Sequence, residues 1–428
     1  MYCPDMLRRI KLSTKLVITL VLTLVLLSAC GGGSSSSAAP STVIVGSTIP
    51  GANVLDIVSD KGPAGAAYQV NRLYTDVTIC QPGTNNCQTI DHVLVDTGST
   101  GLRLLASEVS PALGLVKLNG STGFALLNCA QFVDTSFAWG PVAKADITLG
   151  TMRAASVPIQ IVADAAYQPA VPSACGGIAI TSVIGSGSGA LGAKGILGIG
   201  QFKQDCGPGC VAAGRGFYYA CTNAGCTTVI SSGAPLSDQV ANPVALFATD
   251  NNGLVVDLPA VPNGGASSVS GSIVFGVGTQ ANNQTTGRTL LQASTSNSYI
   301  TAVLNIVSPA LNISNAPRIR SFLDTGSNGI FFDGLSPTCQ ISSSWYCPNS
   351  PTTLTATLKG SNNVPASAVF TVSTPVFATG TNVLPQLAGP MNDPNTFDGG
   401  LPFFFGRRVF IGIEGMPTPL GIGPLYGL

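Results

Sequence analysis

Two short stretches of this chain almost repeat each other. One reads Val93-Leu94-Val95-Asp96-Thr97-Gly98-Ser99 and the other Ser321-Phe322-Leu323-Asp324-Thr325-Gly326-Ser327. Each is an apolar run ending in Asp-Thr-Gly-Ser, and the two aspartates stand 228 positions apart (324 − 96). Each is followed by another Gly and a second apolar stretch, at 102–105 and 330–332. One copy alone suits an ordinary turn, because Asp, Thr, Gly and Ser are all turn formers. Two copies with matched flanks point to two related lobes, each presenting a carboxyl group on a tight turn. The repeat is too long for a solenoid.

Length and composition agree with a two-lobed β protein. The 428 residues are enough for two packed cores. The 51 Gly and 29 Pro, with many Thr, Val and Ile, favour strands and turns. Charged residues make up only 9% and the net charge is zero, so there is no basic footprint for nucleic acid.

The one long apolar run, Leu16 to Ala29, follows Arg8, Arg9, Lys11 and Lys15. A basic start and a short apolar stretch make a secretory signal. It ends in Leu27-Ser28-Ala29-Cys30-Gly31, followed by a Gly/Ser tract. This resembles the bacterial lipoprotein signal, which implies lipidation of Cys30 and membrane attachment through that lipid. Gly31, where Asp is absent, resembles outer-membrane sorting, on either the periplasmic or the outward face. Residues 31–66 read as a flexible tether. With Lys61 as its one Lys, the tether does not resemble the basic inhibitory segment of a zymogen.

Export places the remaining cysteines in an oxidising compartment. Setting aside Cys3 in the signal and Cys30, eight lie in close pairs: Cys80/Cys87, Cys206/Cys210, Cys221/Cys226 and Cys339/Cys347. Cys129 and Cys175 could close a longer loop. Five disulfides are the simplest arrangement, though spacing does not fix connectivity. Cys206, Cys210, Cys221 and Cys226 can alternatively be drawn as a zinc site.

Short alternating segments separated by turns run the length of the chain and predict an all-β architecture. Residues 71–80 and 88–95 predict a hairpin leading into Asp96. Residues 145–150 and 157–162 predict another. The second half repeats the plan, with strands at 299–306, into Asp324, at 353–358 and at 368–372. The Gly-rich stretch 185–200 fails as a phosphate loop, because Lys194 precedes Gly195 and not Ser or Thr.

If the two turns meet, Asp96 and Asp324 become neighbours. Like charges that close do not both ionise, so the pair shares one proton. The ionised member can take a proton from water and the protonated member can donate to a carbonyl oxygen. No metal or cofactor is needed. His92 is the only His and stands alone; parity along its strand puts it on the Asp96 side. No Gly-x-Ser-x-Gly elbow accompanies it.

Over residues 67–428 the chain resembles the pepsin-like aspartic peptidases. Besides the two Asp-Thr-Gly-Ser turns, Gly195-Ile196-Leu197-Gly198 is similar to the apolar-apolar-Gly element behind the first catalytic loop. Gly271 to Gly276 is similar to the strand closing the first lobe, and Leu401 to Phe410 to its counterpart. The Gly-Leu-Pro-Phe-Phe-Phe-Gly-Arg-Arg ending also resembles an uncharacterised family of bacterial lipoproteins related to pepsin. The resemblance implies a bilobal all-β fold with pseudo-twofold lobes at 67–285 and 286–428. It implies that Asp96 and Asp324 are the catalytic pair, that Thr97 and Thr325 interlock the loops, and that Ser99 and Ser327 orient the carboxylates, with Gly98 and Gly326 completing the loops. The expected activity is that of a monomeric endopeptidase acting on extended polypeptide, or, failing catalysis, that of a silent binding or assembly module in the cell envelope. Two departures stand out. Asp398-Gly399 precede Gly400 where two apolar residues are the rule. No Tyr occupies the flap region, where Phe137 and Trp139 are the candidates, either over the substrate or packed beneath a hairpin.

Overall fold

The computed structural model describes residues 42–184, 189–306, 316–340 and 342–428. The signal segment, Cys30 and the first part of the tether lie outside the described residues. Strand periodicity shapes the rest. In Thr352–Lys359 the residues Thr352, Leu354, Ala356 and Leu358 point inward while their neighbours are partly exposed. That strand sits between Ile300–Ile306 and Pro365–Val372, antiparallel to both. Among the described residues no helix is long and apolar enough to cross a membrane.

Each Asp-Thr-Gly-Ser turn sits in the same three-stranded unit. In the first, Cys87–Asp96 leads into the turn and Thr100–Leu105 leads out. Gly195–Ile199 lies between them, parallel to the first and antiparallel to the second. In the second, Arg318–Leu323 leads in and Ile330–Phe332 leads out. Here Thr396–Gly399 takes the middle place, again parallel to one and antiparallel to the other. The sequence repeat is therefore a structural repeat, and the fold is all-β, bilobal and pepsin-like with pseudo-twofold-related lobes.

The lobes share a central sheet. Gly253–Leu258 pairs with Ser268–Phe275 on one side and with Arg407–Gly412 on the other. Leu425–Gly427 joins Arg407–Gly412 and Leu290–Gln292. The chain's last strands thus complete a sheet that begins in the first lobe, so a cut at residue 285 crosses paired strands. The expected tether also ends earlier than residue 66. Val54–Ser59 is a strand between Ser268–Phe275 and Leu73–Cys80. Its Leu55 and Ile57 are buried in the main core, because Val-Leu-Asp-Ile-Val alternates although its surroundings are rich in Gly, Ser and Pro.

A small second sheet is built onto the first lobe. Leu126–Gln131 pairs with Ser136–Leu149 and with Tyr218–Cys221, which in turn pairs with Val229–Ser231. Disulfides brace this region: Cys129–Cys175, Cys206–Cys210 and Cys221–Cys226. Cys80–Cys87 staples the predicted hairpin, and Cys339–Cys347 closes a loop of the second lobe. All ten sulfurs are thus engaged, which excludes the zinc arrangement drawn from Cys206, Cys210, Cys221 and Cys226. A buried network ties the second sheet to the first turn unit. Arg103 meets Asp205 at 3.0 Å and Asn128 at 2.7 Å, and Tyr218 donates to Asp205 at 2.6 Å.

Candidate active site

The two turns meet tip to tip and are locked by their threonines. The Thr97 hydroxyl donates to the Leu323 carbonyl at 3.0 Å and accepts from the Thr325 amide at 3.0 Å. The Thr325 hydroxyl does the reverse, donating to the Val95 carbonyl at 2.8 Å and accepting from the Thr97 amide at 3.2 Å. Both threonines are buried. Each hydroxyl thereby satisfies a backbone amide and a carbonyl at the end of the opposite strand, where an unpaired group would be destabilising. Only a residue that both donates and accepts from one atom fills this place.

The lock brings the carboxyl groups together. The Gly98 amide donates to Asp96 Oδ1 at 2.8 Å and to Asp324 Oδ1 at 3.1 Å, so one N–H serves both groups. The Gly326 amide donates to Asp324 Oδ1 at 2.7 Å. Neither Gly can be replaced without displacing a carboxyl group. A Cβ on Gly98 would lie 2.6 Å from Asp324 Cγ, and one on Gly326 would lie 2.8 Å from Asp96 Cγ. The outer oxygens are held by serines. Ser99 donates to Asp96 Oδ2, and Ser327 donates to Asp324 Oδ2 at 2.8 Å. The loop carbonyls of these serines accept from the amides of Gly200 (2.9 Å) and Leu401 (2.7 Å).

Burial and the Asp324 charge push the Asp96 carboxyl well above the usual carboxylate range. This is the behaviour of a pair that holds one proton in common. Asp96 is buried, while Gly98 is exposed and Asp324 half-buried, so the pair opens to solvent on that side.

Behind the Asp324 turn lies a carboxyl group with no equivalent in the first lobe. Asp398 belongs to the middle strand Thr396–Gly399 and is buried, 3% exposed. Its ionisation is pushed well up by burial and by the Asp324 charge. The sequence reveals Asp398 only as a departure from an apolar pattern; its closeness to the pair depends on the parallel register of two distant strands.

The other candidate residues lie elsewhere. Phe137 and Trp139 do not stand over the pair. They are buried in the small second sheet with Leu127, Cys129, Tyr219 and Cys221. The Trp139 N–H donates to the Tyr167 carbonyl at 2.9 Å and its ring meets Tyr219 edge-on. The reason is the segment at 217–231, which folds back onto the hairpin and covers the face that would otherwise be open. His92, with φ 52°, lies in a bulge between the Thr75–Val93 and Val77–Ile90 pairs. It bonds Asp91 at 2.7 Å and lies edge-on to Tyr74. Among the described residues no three potential metal ligands cluster.

Duplicated turn units, an interlock through two threonines and a facing pair of carboxyl groups define a bilobal pepsin-like protein. The chain belongs to the family described as "protein of unknown function (DUF3443)", whose profile matches residues 50–428. In overall shape it is similar to an aspartic proteinase from Irpex lacteus, with 14% identity, 87% of this chain and 96% of that chain covered, and a TM-score of 0.48. It is also similar to basic 7S globulin from soybean, with 11% identity, 88% and 96% covered, and a TM-score of 0.46. Likenesses that loose carry no weight beside the two turn units. No curated protein sequence matches the chain.

Proposed function

We propose that the protein is an aspartic endopeptidase, tethered to a bacterial envelope membrane through a lipid on Cys30, that cleaves extended polypeptide. The observation that carries this reading is the Gly98 amide shared by Asp96 and Asp324 at 2.8 and 3.1 Å. A pair that close retains one proton where ordinary carboxylates have lost theirs. Its ionised member takes a proton from water as the water oxygen adds to the peptide carbonyl carbon. Its protonated member gives a proton to the carbonyl oxygen, forming a neutral gem-diol. Collapse of the diol returns a proton to the leaving nitrogen and breaks the C–N bond. The Thr97–Thr325 lock keeps the two carboxyl groups in place through these transfers, so little reorganisation accompanies the reaction.

Eleven residues, 31–41, separate Cys30 from the first described residue. Fully extended they reach about 40 Å, so the body would remain close to the membrane surface. The outer membrane is the expected site, on either face.

The test is incubation of the full chain in detergent with a denatured polypeptide mixture from acid to neutral pH, beside Asp96→Asn and Asp324→Asn. Each substitution is expected to lower cleavage by at least about 100-fold with the fold intact by circular dichroism. Undiminished cleavage by either variant overturns the reading. So does a folded wild type that cleaves at no pH, and that outcome favours a silent binding module. The engagement of the Trp139 N–H, which leaves that group unable to reach a substrate, is the observation on the side of the binding module.

A further inference from the structure

The two turn units differ at one buried position. Gly198 pairs with Asp96 in one direction and with Gly101 in the other. In the second unit Gly399 pairs with Leu323 and Ile330, so the next residue, Gly400, is the counterpart of Gly198. Counting back, Asp398 is the counterpart of Ile196. Ile196 is buried beside Tyr74, Leu94 and Ala138. A carboxyl group therefore stands where the twin unit has a hydrocarbon.

The surroundings of Asp398 fix its protonation. Its Oδ1 is buried with no hydrogen-bond partner. The polar side chain that bears on its ionisation is the Ser327 hydroxyl. That hydroxyl has a single hydrogen, which is donated to Asp324 Oδ2 at 2.8 Å. Toward Asp398 the Ser327 oxygen can only accept, so a hydrogen bond between them must take its hydrogen from Asp398. An ionised Asp398 would be a buried anion without a donor, facing a lone pair. The titratable groups around it do not relieve this. Asp324 and Asp96 repel the charge. Tyr426, from the last strand, is buried and is held neutral by burial and by the Asp324 charge. The adjacent strand neighbours, Phe322 and Phe331, are apolar.

We propose that Asp398 is a third acid of the site, a positioning residue that keeps its proton, donates it as a hydrogen bond to Ser327 Oγ, and thereby biases the Asp96–Asp324 pair towards a charge on Asp324. A hydroxyl that accepts a hydrogen bond donates more strongly, so Ser327 stabilises the Asp324 anion more than Ser99, backed by Ile196, stabilises the Asp96 anion. Loss of the Asp398 proton reverses the effect, because it places a third negative charge behind the pair. The ionisation of Asp398 is thus a separate, more alkaline step that the pair feels. Its catalytic meaning rests on the peptidase reading; its protonation and its hold on the pair do not.

The experiment is a carbon NMR titration of the full chain in detergent with 13C-carboxyl aspartate, for wild type, Asp398→Asn and Asp398→Leu. The wild type is expected to show a carboxyl resonance, absent from both variants, that stays protonated at pH values where ordinary aspartates have ionised. In Asp398→Leu the lower apparent pKa of the pair is expected to rise by about one unit, a tenfold loss of the anion's advantage. In Asp398→Asn an N–H still donates to Ser327, so the lower value stays near that of the wild type while the alkaline step disappears. A resonance of Asp398 that titrates with the ordinary aspartates overturns the proposal. So does a pair that titrates identically in all three proteins. If Asp398→Leu does not fold, wild type and the nearly isosteric Asp398→Asn still decide through the alkaline step. Peptide hydrolysis is measured in parallel: its complete absence would count against the peptidase reading and leave these two outcomes as they stand.

Discussion

At the scale of the residue, the site is governed by how little room it leaves. Gly98 donates one N–H to two carboxyl groups, and its hydrogen atoms face Asp324 where a methyl group would stand 2.6 Å from Cγ. Contacts that short do not persist; either the turn or the carboxyl group must move. Gly98→Ala is therefore expected to destabilise the fold by about 1–3 kcal/mol, the range for inserting a methyl group into a packed site. Polypeptide cleavage should fall to background, since the loop that aligns the pair is the part that yields. Gly264 is the control, because nothing lies within 4 Å of the place a methyl group would take there and its backbone is not left-handed. Gly264→Ala should change stability by less than about 0.5 kcal/mol. Urea unfolding of the two variants beside wild type checks both numbers. Equal stability for both would mean that the turn has slack that the distances do not show.

At the scale of the element, the Thr97–Thr325 lock is a single network of four hydrogen bonds. Thr97→Val removes a buried hydroxyl and leaves the Thr325 amide and the Leu323 carbonyl without that partner. Each such loss is destabilising by about 1–3 kcal/mol. Thr325→Val does the same to the Thr97 amide and the Val95 carbonyl. Since each threonine supports the turn that carries the other, the double variant should lose measurably less than the sum, with a coupling of about 0.5–3 kcal/mol. Denaturant unfolding of the four proteins measures it, and additivity to within experimental error would show the two turns to be independent.

Sequence legibility follows the same division between local and distant. The turns, their flanking strands and the Cys80–Cys87 hairpin are local patterns, and the strands at 299–306, 353–358 and 368–372 fall close to where alternation puts them. The strand Val54–Ser59 is hidden by its company: Gly, Ser and Pro on both sides speak for a linker, while pairing with Ser268–Phe275, more than 200 positions away, and with Leu73–Cys80 makes it a strand. Phe137 and Trp139 are legible as hairpin aromatics, but their burial depends on Tyr218–Cys221 folding over them, which no local pattern signals. Asp398 is visible as an odd residue. That it lies behind Asp324 requires a parallel register, and parallel partners are chosen by the whole sheet.

At the scale of the whole molecule, two sets of aspartates pull stability in opposite directions with pH. Asp96 and Asp398 are raised well above the ordinary carboxylate range, in both cases chiefly by burial. For a raised acid the folded state binds the proton more tightly than the unfolded chain. Its contribution is complete below the unfolded value, about 3.9, and is lost as pH rises through the folded one. Asp91 and Asp393 are lowered to about 2, by Lys194 in the first case and by Thr396 and Arg320 in the second. Their contribution is present above about 3.9 and is lost as pH falls towards about 2, though both are solvent-exposed enough for the effect to be small. With charged residues at only 9%, few other groups mask these terms. Stability should therefore peak in mild acid and decline towards neutral and alkaline pH, by up to about 1.4 kcal/mol per pH unit for each buried acid still titrating. Asp398→Asn removes one of the acids responsible. Its unfolding free energy should match or fall slightly below that of wild type near pH 4, and the gap should close and then reverse as pH rises. Chemical denaturation from pH 3 to 9 follows the crossing. Parallel curves for the two proteins would mean that Asp398 ionises without penalty, which a buried oxygen lacking any donor does not allow.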